Sequence, residues 1–563
     1  MSNKFSLRKV FSPETLFFLV VLVLAICLRI YRLNQLELFG DELDVGYQAY
    51  SLLKTRKDYR GNFLPVYLES FSESRAPFFI YSAIPFVAIF GLNEWGIRLT
   101  SAFWGILDIV FLYLLVRLIE KDKKVAMWAA LIMTIIPWHL HYSRAGFEVT
   151  LLLFLILAGT YAFIKGLMKK TIWFSGAAIC FALSFYTYNT ANVFTSIWII
   201  ILLFVFRFEL KTQLVRLVPA LAIFILILIP FSFSIFRGPA VSRFKLISIF
   251  SDQKLIEQII LKRSADPQNL TERFFHNKLF VWSKVVLKNY LTAFSPQFLF
   301  FNGDPNPRHT VPGFGEIYII LLFFLLSGIL VSLEKESKKP NIWLNWLLIA
   351  PIASALTVGG GEQATRLFLM VPPLVVLIAI GIEKISAKIK GIFLVIVIMI
   401  LTYSLVGYFH ELTKHYPQEQ FRYWHFGYKE AINLVNENES ICRNYFLNNS
   451  HEPILIRYLF WTGTDPNWFL NNFKDDKENQ TTNGFSNFSL GNVFFGHLIE
   501  ENRLEGVKRI LAEPGNCYLA FQKDEIPGDW NIEKEPIRGI KVLGLVKAPG
   551  NKDPYIYLLG GLR

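Results

Sequence analysis

The stretch LELFGDELDVGYQAY, residues 36 to 50, sets Asp41, Glu42 and Asp44 almost side by side. A carboxylate can take the proton of an attacking hydroxyl, so this cluster supplies a candidate general base. Charged and hydrogen-bonding side chains recur further on: Arg75 in SESRAPFF, His141, Arg144 and Glu148 in PWHLHYSRAGFE, and Tyr186 and Tyr188 in SFYTYNTAN. Asp304, Arg308 and His309 follow in FFNGDPNPRHTVPGFGE, then Glu362 and Arg366 in GGGEQATRLF. Arginine binds phosphate through paired N–H donors, so a base with several arginines suits chemistry on a phosphate-linked substrate. Each residue also has a plainer use. Asp41 or Glu42 can cap the helix implied by the spacing of DELDVGYQAYSLL, and Glu148 can favour a helix N-terminus. A lone Arg or Tyr can anchor an interface, and NGDPNPRH reads as a turn. Capping needs one acid, whereas three are present.

The elements that must position these residues are membrane spans. The chain has 563 residues, 53% of them hydrophobic, with 53 Phe and a mean hydropathy of +0.39. That is more apolar surface than a soluble core needs. Lys and Arg number 57 against 44 Asp and Glu, a formal charge of +13. The cations lie in short clusters between apolar runs and form no stripe interleaved with aromatics, which argues against a nucleic-acid partner. Eleven spans are predicted, near 13–31, 99–118, 125–140, 148–164, 172–187, 190–206, 217–236, 315–333, 341–358, 367–382 and 391–409. The first lacks a small-residue cleavage site and reads as a retained span.

Charge sets the orientation in the plasma membrane. With the N-terminus cytoplasmic, the inner side receives Lys4/Arg8/Lys9, Lys121/Lys123/Lys124, Lys165/Lys169/Lys170, Arg207/Lys211/Arg216, Lys335/Lys338/Lys339 and Lys384/Lys388/Lys390. The short outer loops 188–189 and 359–365 carry no Lys or Arg. Residues 76–91, APFFIYSAIPFVAIFG, are apolar, but a crossing there would strand five basic clusters outside. With Pro77 and Pro85 against a clean span, they read as an interfacial helix. The chemistry-bearing stretches then all face outward, in a first outer loop of 32–98, a long outer loop of 237–314 and the span ends.

The expected fold class is an all-α polytopic membrane domain over 1–412 followed by a small extracytoplasmic α/β domain over 413–563. In the latter, YKEAINLVNEN reads as a helix, and NCYLAF and PYIYLL as strands. Cys442 and Cys517 both fall there and could pair in an oxidising compartment, whereas Cys27 and Cys180 lie in spans. No GxxxxGK[ST] occurs and no GxGxxG follows a strand, so the short inner loops house no nucleotide-binding domain. HExxH and CxxC metal patterns are also missing from the sequence.

The order GDELDVGYQAYSLL, SRAPFFIY, FGLNEWGIRLTSAFWG, PWHLHYSRAGFE, YTY resembles the bacterial branch of the dolichyl-phosphate-mannose protein mannosyltransferase family. These are membrane glycosyltransferases of the GT-C fold, in one superfamily with the aminoarabinose transferases of lipid A. The resemblance covers roughly residues 10 to 410 and is strongest to residue 190. It implies a transferase of eleven or more helices that takes a sugar from a polyprenyl-phosphate carrier. It also implies a catalytic acid in the first outer loop, at Asp41, with Glu42 as its neighbour. Two departures stand out. The family often has Lys before the proline of the interfacial helix, where this chain has Arg75, Ala76 and Pro77. Metal-using relatives often carry a second acidic motif such as DxD in the next outer loop. Here only Glu148 stands near that place, so no metal is assigned.

The resulting expectation is inverting transfer to a hydroxyl acceptor on protein, lipid or glycan. One carboxylate suffices, because a phosphate leaves as a stable anion without an acid. Asp41 and Glu42 are the catalytic candidates. Arg75, Arg144, Glu148, Tyr188, Arg308, His309 and Arg366 are candidates for binding substrate and carrier phosphate. Arg366 leads these, because it opens a span after a glycine-rich loop. A carrier or flippase of lipid-linked sugars is the alternative, weakened by the few ionisable residues expected within the spans. A binding or assembly protein is a third. The tail lacks the family's motifs and is expected to shape acceptor choice.

Overall fold

The computed structural model describes residues 12–70, 74–168, 172–238, 246–265, 277–334, 341–387, 391–449, 453–474, 476–521, 532, 534–550 and 553–561. Lys4, Arg8, Lys9, Lys169, Lys170, Lys335, Lys338, Lys339, Lys388 and Lys390 of the basic clusters lie outside the described residues. The chain forms two compact units. One comprises Met1–Tyr31, Glu73–Phe79 and Arg98–Leu412, the other Arg32–Ser72, Ile80–Ile97 and Thr413–Arg563. Most of the first outer loop thus belongs to the unit that contains the tail.

The first unit is helical, and the protein is a multi-pass membrane protein. Six helices among the described residues are long and apolar enough to cross a bilayer: Pro13–Ile30, Glu94–Ile119, Val149–Met168, Leu214–Ile235, Ala364–Ser386 and Gly391–Glu419. Each coincides with an expected span. The other five expected spans fall on shorter helices: Lys123–Ile135, Ile172–Ser184, Thr190–Val205, Leu321–Glu334, and Ile342–Ile349 with Ile352–Ala355. At about 1.5 Å per residue, thirteen residues cover roughly 20 Å of a core about 30 Å thick. The count of eleven therefore rests on the charge pattern and not on helix length. Phe78–Phe90, the segment read as interfacial, is equally short and contains Pro85.

Local chemistry sets these breaks. Asp122 starts Lys123–Ile135 by accepting from the Lys124 and Val125 N–H groups at 2.8 and 3.4 Å. Ile136 is extended, and Pro137, with no N–H to continue the ladder, opens the next helix, Pro137–Tyr142. Leu321–Glu334 and Val371–Ser386 approach closely at glycines, since a Cβ on Gly328 would overlap the Leu377 carbonyl. At one end of the unit, Glu14 pairs with Lys123 at 2.6 Å and Arg117 at 3.4 Å, and Lys124 with Glu383 at 3.1 Å. From that end the chain runs through Lys123–Ile135 to His141 at the other.

In the second unit, seven strands among the described residues form one mixed sheet. They are β1 Asn444–Asn448, β2 Gln480–Thr482, β3 Phe485–Leu490, β4 Val493–Leu498, β5 Asn516–Phe521, β6 Ile540–Lys547 and β7 Pro554–Gly561. Their order is β2-β3-β4-β1-β5-β7-β6. β1 runs parallel to β4 and β5, and the remaining pairs are antiparallel. Parallel neighbours require crossovers, which the helices Ile454–Thr462 and Arg503–Leu511 provide. Phe446, Phe485, Leu498, Ile510, Tyr518 and Tyr557 fill the core. The helix Tyr428–Glu437 and the strands β5 and β7 stand where the sequence placed them. Cys442 and Cys517 form a disulfide with Cα atoms 5.7 Å apart.

Candidate functional site

The second unit holds the acidic stretch on the helix Gly40–Thr55. Its three carboxylates differ sharply in setting. Glu42 is buried, and its Oε2 accepts from the Phe39 N–H at 3.3 Å, closing the helix start. Asp44 is buried too, its Oδ1 accepting from the Tyr59 hydroxyl at 2.6 Å and the Ser70 hydroxyl at 3.1 Å. Asp41, on the same turn, is only half-buried. The capping use weighed for Asp41 or Glu42 thus falls to Glu42. Gly46 lets this helix lie against its neighbours, because a Cβ there would run into Phe460 and Ile97.

Glu37, which no sequence motif singles out, sits just before this helix. Its two oxygens accept from the backbone N–H groups of Gly427 and Lys429, each at 2.6 Å. Burial pushes its carboxyl up to about 7, against the pull of those two donors. The Lys429 ammonium pairs with Glu94 at 2.8 Å and lies 4.7 Å from the Trp461 ring centre.

The first unit fastens three of the predicted polar stretches together. His141 Nε2 donates to the Arg308 carbonyl at 2.8 Å, and Trp138 Nε1 to the Ala364 carbonyl at 3.2 Å. Tyr142 and Thr365 share a hydroxyl hydrogen bond of 2.8 Å. Asp304 Oδ2 accepts from the Ala364 N–H at 2.8 Å and from His309 Nδ1 at 3.0 Å. The segments around 137–144, 303–316 and 363–366 therefore form one polar hub.

The arginines divide as the carboxylates do. Arg366 Nη1 donates to the Thr357 hydroxyl at 2.7 Å and the Val358 carbonyl at 3.1 Å, which orients its guanidinium beside the hub. Arg144 instead donates to the carbonyls of Leu28, Arg29 and Tyr31, the last two at 3.2 and 2.8 Å, capping the first helix. A phosphate at Arg144 would compete with those carbonyls. Arg75 is buried in the short strand Ser74–Arg75. Glu148 is half-buried before Val149–Met168, where its carbonyl accepts from the Leu152 N–H at 3.2 Å. Tyr188 is buried, its carbonyl accepting from the Ala191 N–H at 3.0 Å. Tyr186 replaces a helical hydrogen bond beside Pro230, donating to the Ile227 carbonyl at 2.5 Å and accepting from the Phe231 N–H at 2.9 Å.

A second cluster in this unit was not anticipated. Arg29, His139 and Asp108 are fully buried on three helices. Arg29 Nη2 lies 2.8 Å from His139 Nδ1, and His139 Nε2 lies 3.2 Å from Asp108 Oδ2. A guanidinium can only donate, so the imidazole accepts at Nδ1 and donates from Nε2. The sequence signal was available, since an aspartate stands inside the apolar run FWGILDIVFL. Among the described residues no group of three or more His, Cys, Asp or Glu side chains is arranged to hold a metal ion.

Residues 74–233 match the family described as dolichyl-phosphate-mannose-protein mannosyltransferase, the one the sequence motifs resemble. The match takes in Arg75, Arg144, Glu148 and Tyr188 but not Asp41 or Arg366. No curated protein matches the chain. Among solved structures, the chain is similar to the archaeal oligosaccharyltransferase AglB from Archaeoglobus fulgidus, solved with an inhibitory peptide and a dolichol-phosphate. Identity there is 17% and the TM-score 0.44, over 79% of this chain and 63% of that one. The chain thus spans less than two thirds of that enzyme's length. ArnT from Cupriavidus metallidurans bound to undecaprenyl phosphate is similar at 11% identity and a TM-score of 0.46, over 97% of both chains. The apo state of ArnT gives 12% and 0.43.

Proposed function

We propose that the protein is a membrane glycosyltransferase that moves a sugar from a polyprenyl-phosphate carrier to a hydroxyl acceptor on the outer face, with Asp41 as general base. The observation that carries this reading is the contrast among three neighbouring acids. Glu42 and Asp44 are buried, while Asp41 is half-buried at the first turn of its helix. The family match over 74–233 and the oriented Arg366 support it.

In the proposed step Asp41 takes the acceptor's hydroxyl proton as that oxygen bonds to the anomeric carbon. The bond from that carbon to the carrier's phosphate oxygen breaks, its electron pair leaves with the phosphate, and the configuration inverts. The departing anion calls for arginine, and Arg366, Arg308 and His309 keep from the sequence their standing as candidates for the carrier phosphate. No proton is needed by the leaving group, so a second carboxylic acid has no task. The test is transfer of labelled sugar from a panel of synthetic polyprenyl-phosphate sugars by purified protein in vesicles. Product that depends on Asp41 supports the reading, and an active Asp41→Asn overturns it.

The Arg29–His139–Asp108 cluster favours one second reading, movement of the lipid-linked sugar across the bilayer, because buried ionisable groups inside helices mark transport routes. Vesicles carrying labelled donor on one leaflet distinguish the two. Donor that changes leaflet without being consumed indicates transport.

A further inference from the structure

We infer that the C-terminal domain positions the loop bearing Asp41, and that Glu37 is the positioning residue through which it does so; this rests on the catalytic reading of Asp41 above. Glu37 stands four residues before Asp41, and its carboxylate spans the backbone N–H groups of Gly427 and Lys429. These are donors that the first turn of Tyr428–Glu437 cannot satisfy within the helix. Gly427 has φ +97°, a conformation that suits glycine and turns its amide toward the carboxylate.

The grip continues on both sides of Asp41. Before it, Gln35 Nε2 donates to the Thr413 carbonyl at 2.6 Å, and the Phe39 ring meets Trp424 edge-on at 5.6 Å. Beyond it, the Tyr47 hydroxyl donates to the Thr464 carbonyl at 3.0 Å, and Arg60 pairs with Asp476 at 2.8 Å. Residues on either side of the proposed base are thus tied to 413–476, so the tail fixes the direction in which Asp41 leaves its helix. Glu37 is buried and bonded to backbone, which gives it no contact with a reacting atom. Its effect is to hold the first helical turn in one place, and a base misplaced by an ångström loses most of its advantage.

The experiment uses the full chain in vesicles with the sugar-donor panel. Glu37→Gln keeps the shape but sets an NH2 group against one of the two N–H donors. Turnover should fall on the order of 10- to 100-fold in kcat while donor KM moves by less than about threefold, because the base and not the carrier contact is displaced. Amide exchange at Gly427, Lys429 and the Gly40–Thr55 helix should speed up. Lys429→Pro removes the second donor at a first-turn position that tolerates proline, and should reproduce the kcat loss. Lys429→Ala, which keeps that donor, should cost less than the proline variant. Should Glu37→Gln fail to fold, Lys429→Pro decides. Variants that exchange faster yet turn over within about twofold of wild type would overturn the positioning role. If the wild type transfers no sugar at all, the transferase reading falls, and exchange alone judges the grip: unchanged protection of Gly40–Thr55 in Glu37→Gln overturns it, and lost protection upholds it.

Discussion

Asp41 and Glu42 are chain neighbours, yet replacing each by its amide should have different consequences. Asp41→Asn removes the basic oxygen and should lower transfer by at least roughly 10²- to 10⁴-fold while donor binding persists. Glu42→Gln weakens the hydrogen bond to the Phe39 N–H and should cost about 1 kcal/mol of stability with turnover largely kept. Turnover and thermal unfolding of both purified variants check this, and turnover kept in Asp41→Asn but lost in Glu42→Gln would place the base on Glu42. The arginines separate the same way. Arg366→Ala should weaken donor affinity about tenfold or more, a charge-assisted contact having been lost. Arg144→Ala leaves three carbonyls at the end of the first helix and should destabilise by about 1–3 kcal/mol. Titration of labelled donor against each variant distinguishes affinity from folding. The acid pair was legible because its types and spacing are local. Glu37 was not, since its partner Gly427 lies 390 positions away.

At the scale of helices, hydrophobic runs located every long span, because sustained apolarity is a property of consecutive residues. What they could not reveal is which span residues meet. Arg29 and Asp108 stand on different helices far apart in the sequence, and only packing joins them through His139. Removing one partner of a buried ionic group strands the others, at a cost of about 3–5 kcal/mol. Asp108→Ala should therefore lower the unfolding temperature of detergent-purified protein strongly. Asp108→Asn, which keeps an acceptor for the imidazole N–H, should do so less. An Asp108→Ala variant as stable as wild type would mean that the cluster does not tie these helices together. An Asp108→Asn variant that folds normally but no longer moves donor that the wild type moves between leaflets would instead strengthen the transport reading.

Across the whole molecule, orientation is what decides whether the polar hub of the first unit faces the outside. Glu14, Arg117, Lys123, Lys124 and Glu383 meet at one end of the first unit. Arg308, His309 and Arg366 belong to a hub fastened to His141 and Tyr142, beyond the far end of Lys123–Ile135. The positive-inside rule predicts a cytoplasmic first end, and the Cys442–Cys517 disulfide suits a second unit in an oxidising compartment. Single cysteines test this on intact cells, in a background lacking Cys27 and Cys180, with a membrane-impermeant thiol reagent. Lys121 and Pro312 are both exposed, so neither Lys121→Cys nor Pro312→Cys should be hidden by packing. Labelling is expected at 312 and absent at 121 until the membrane is opened. The opposite pattern would turn the hub toward the cytoplasm, remove the outer-face site, and require a donor and acceptor that meet inside the cell.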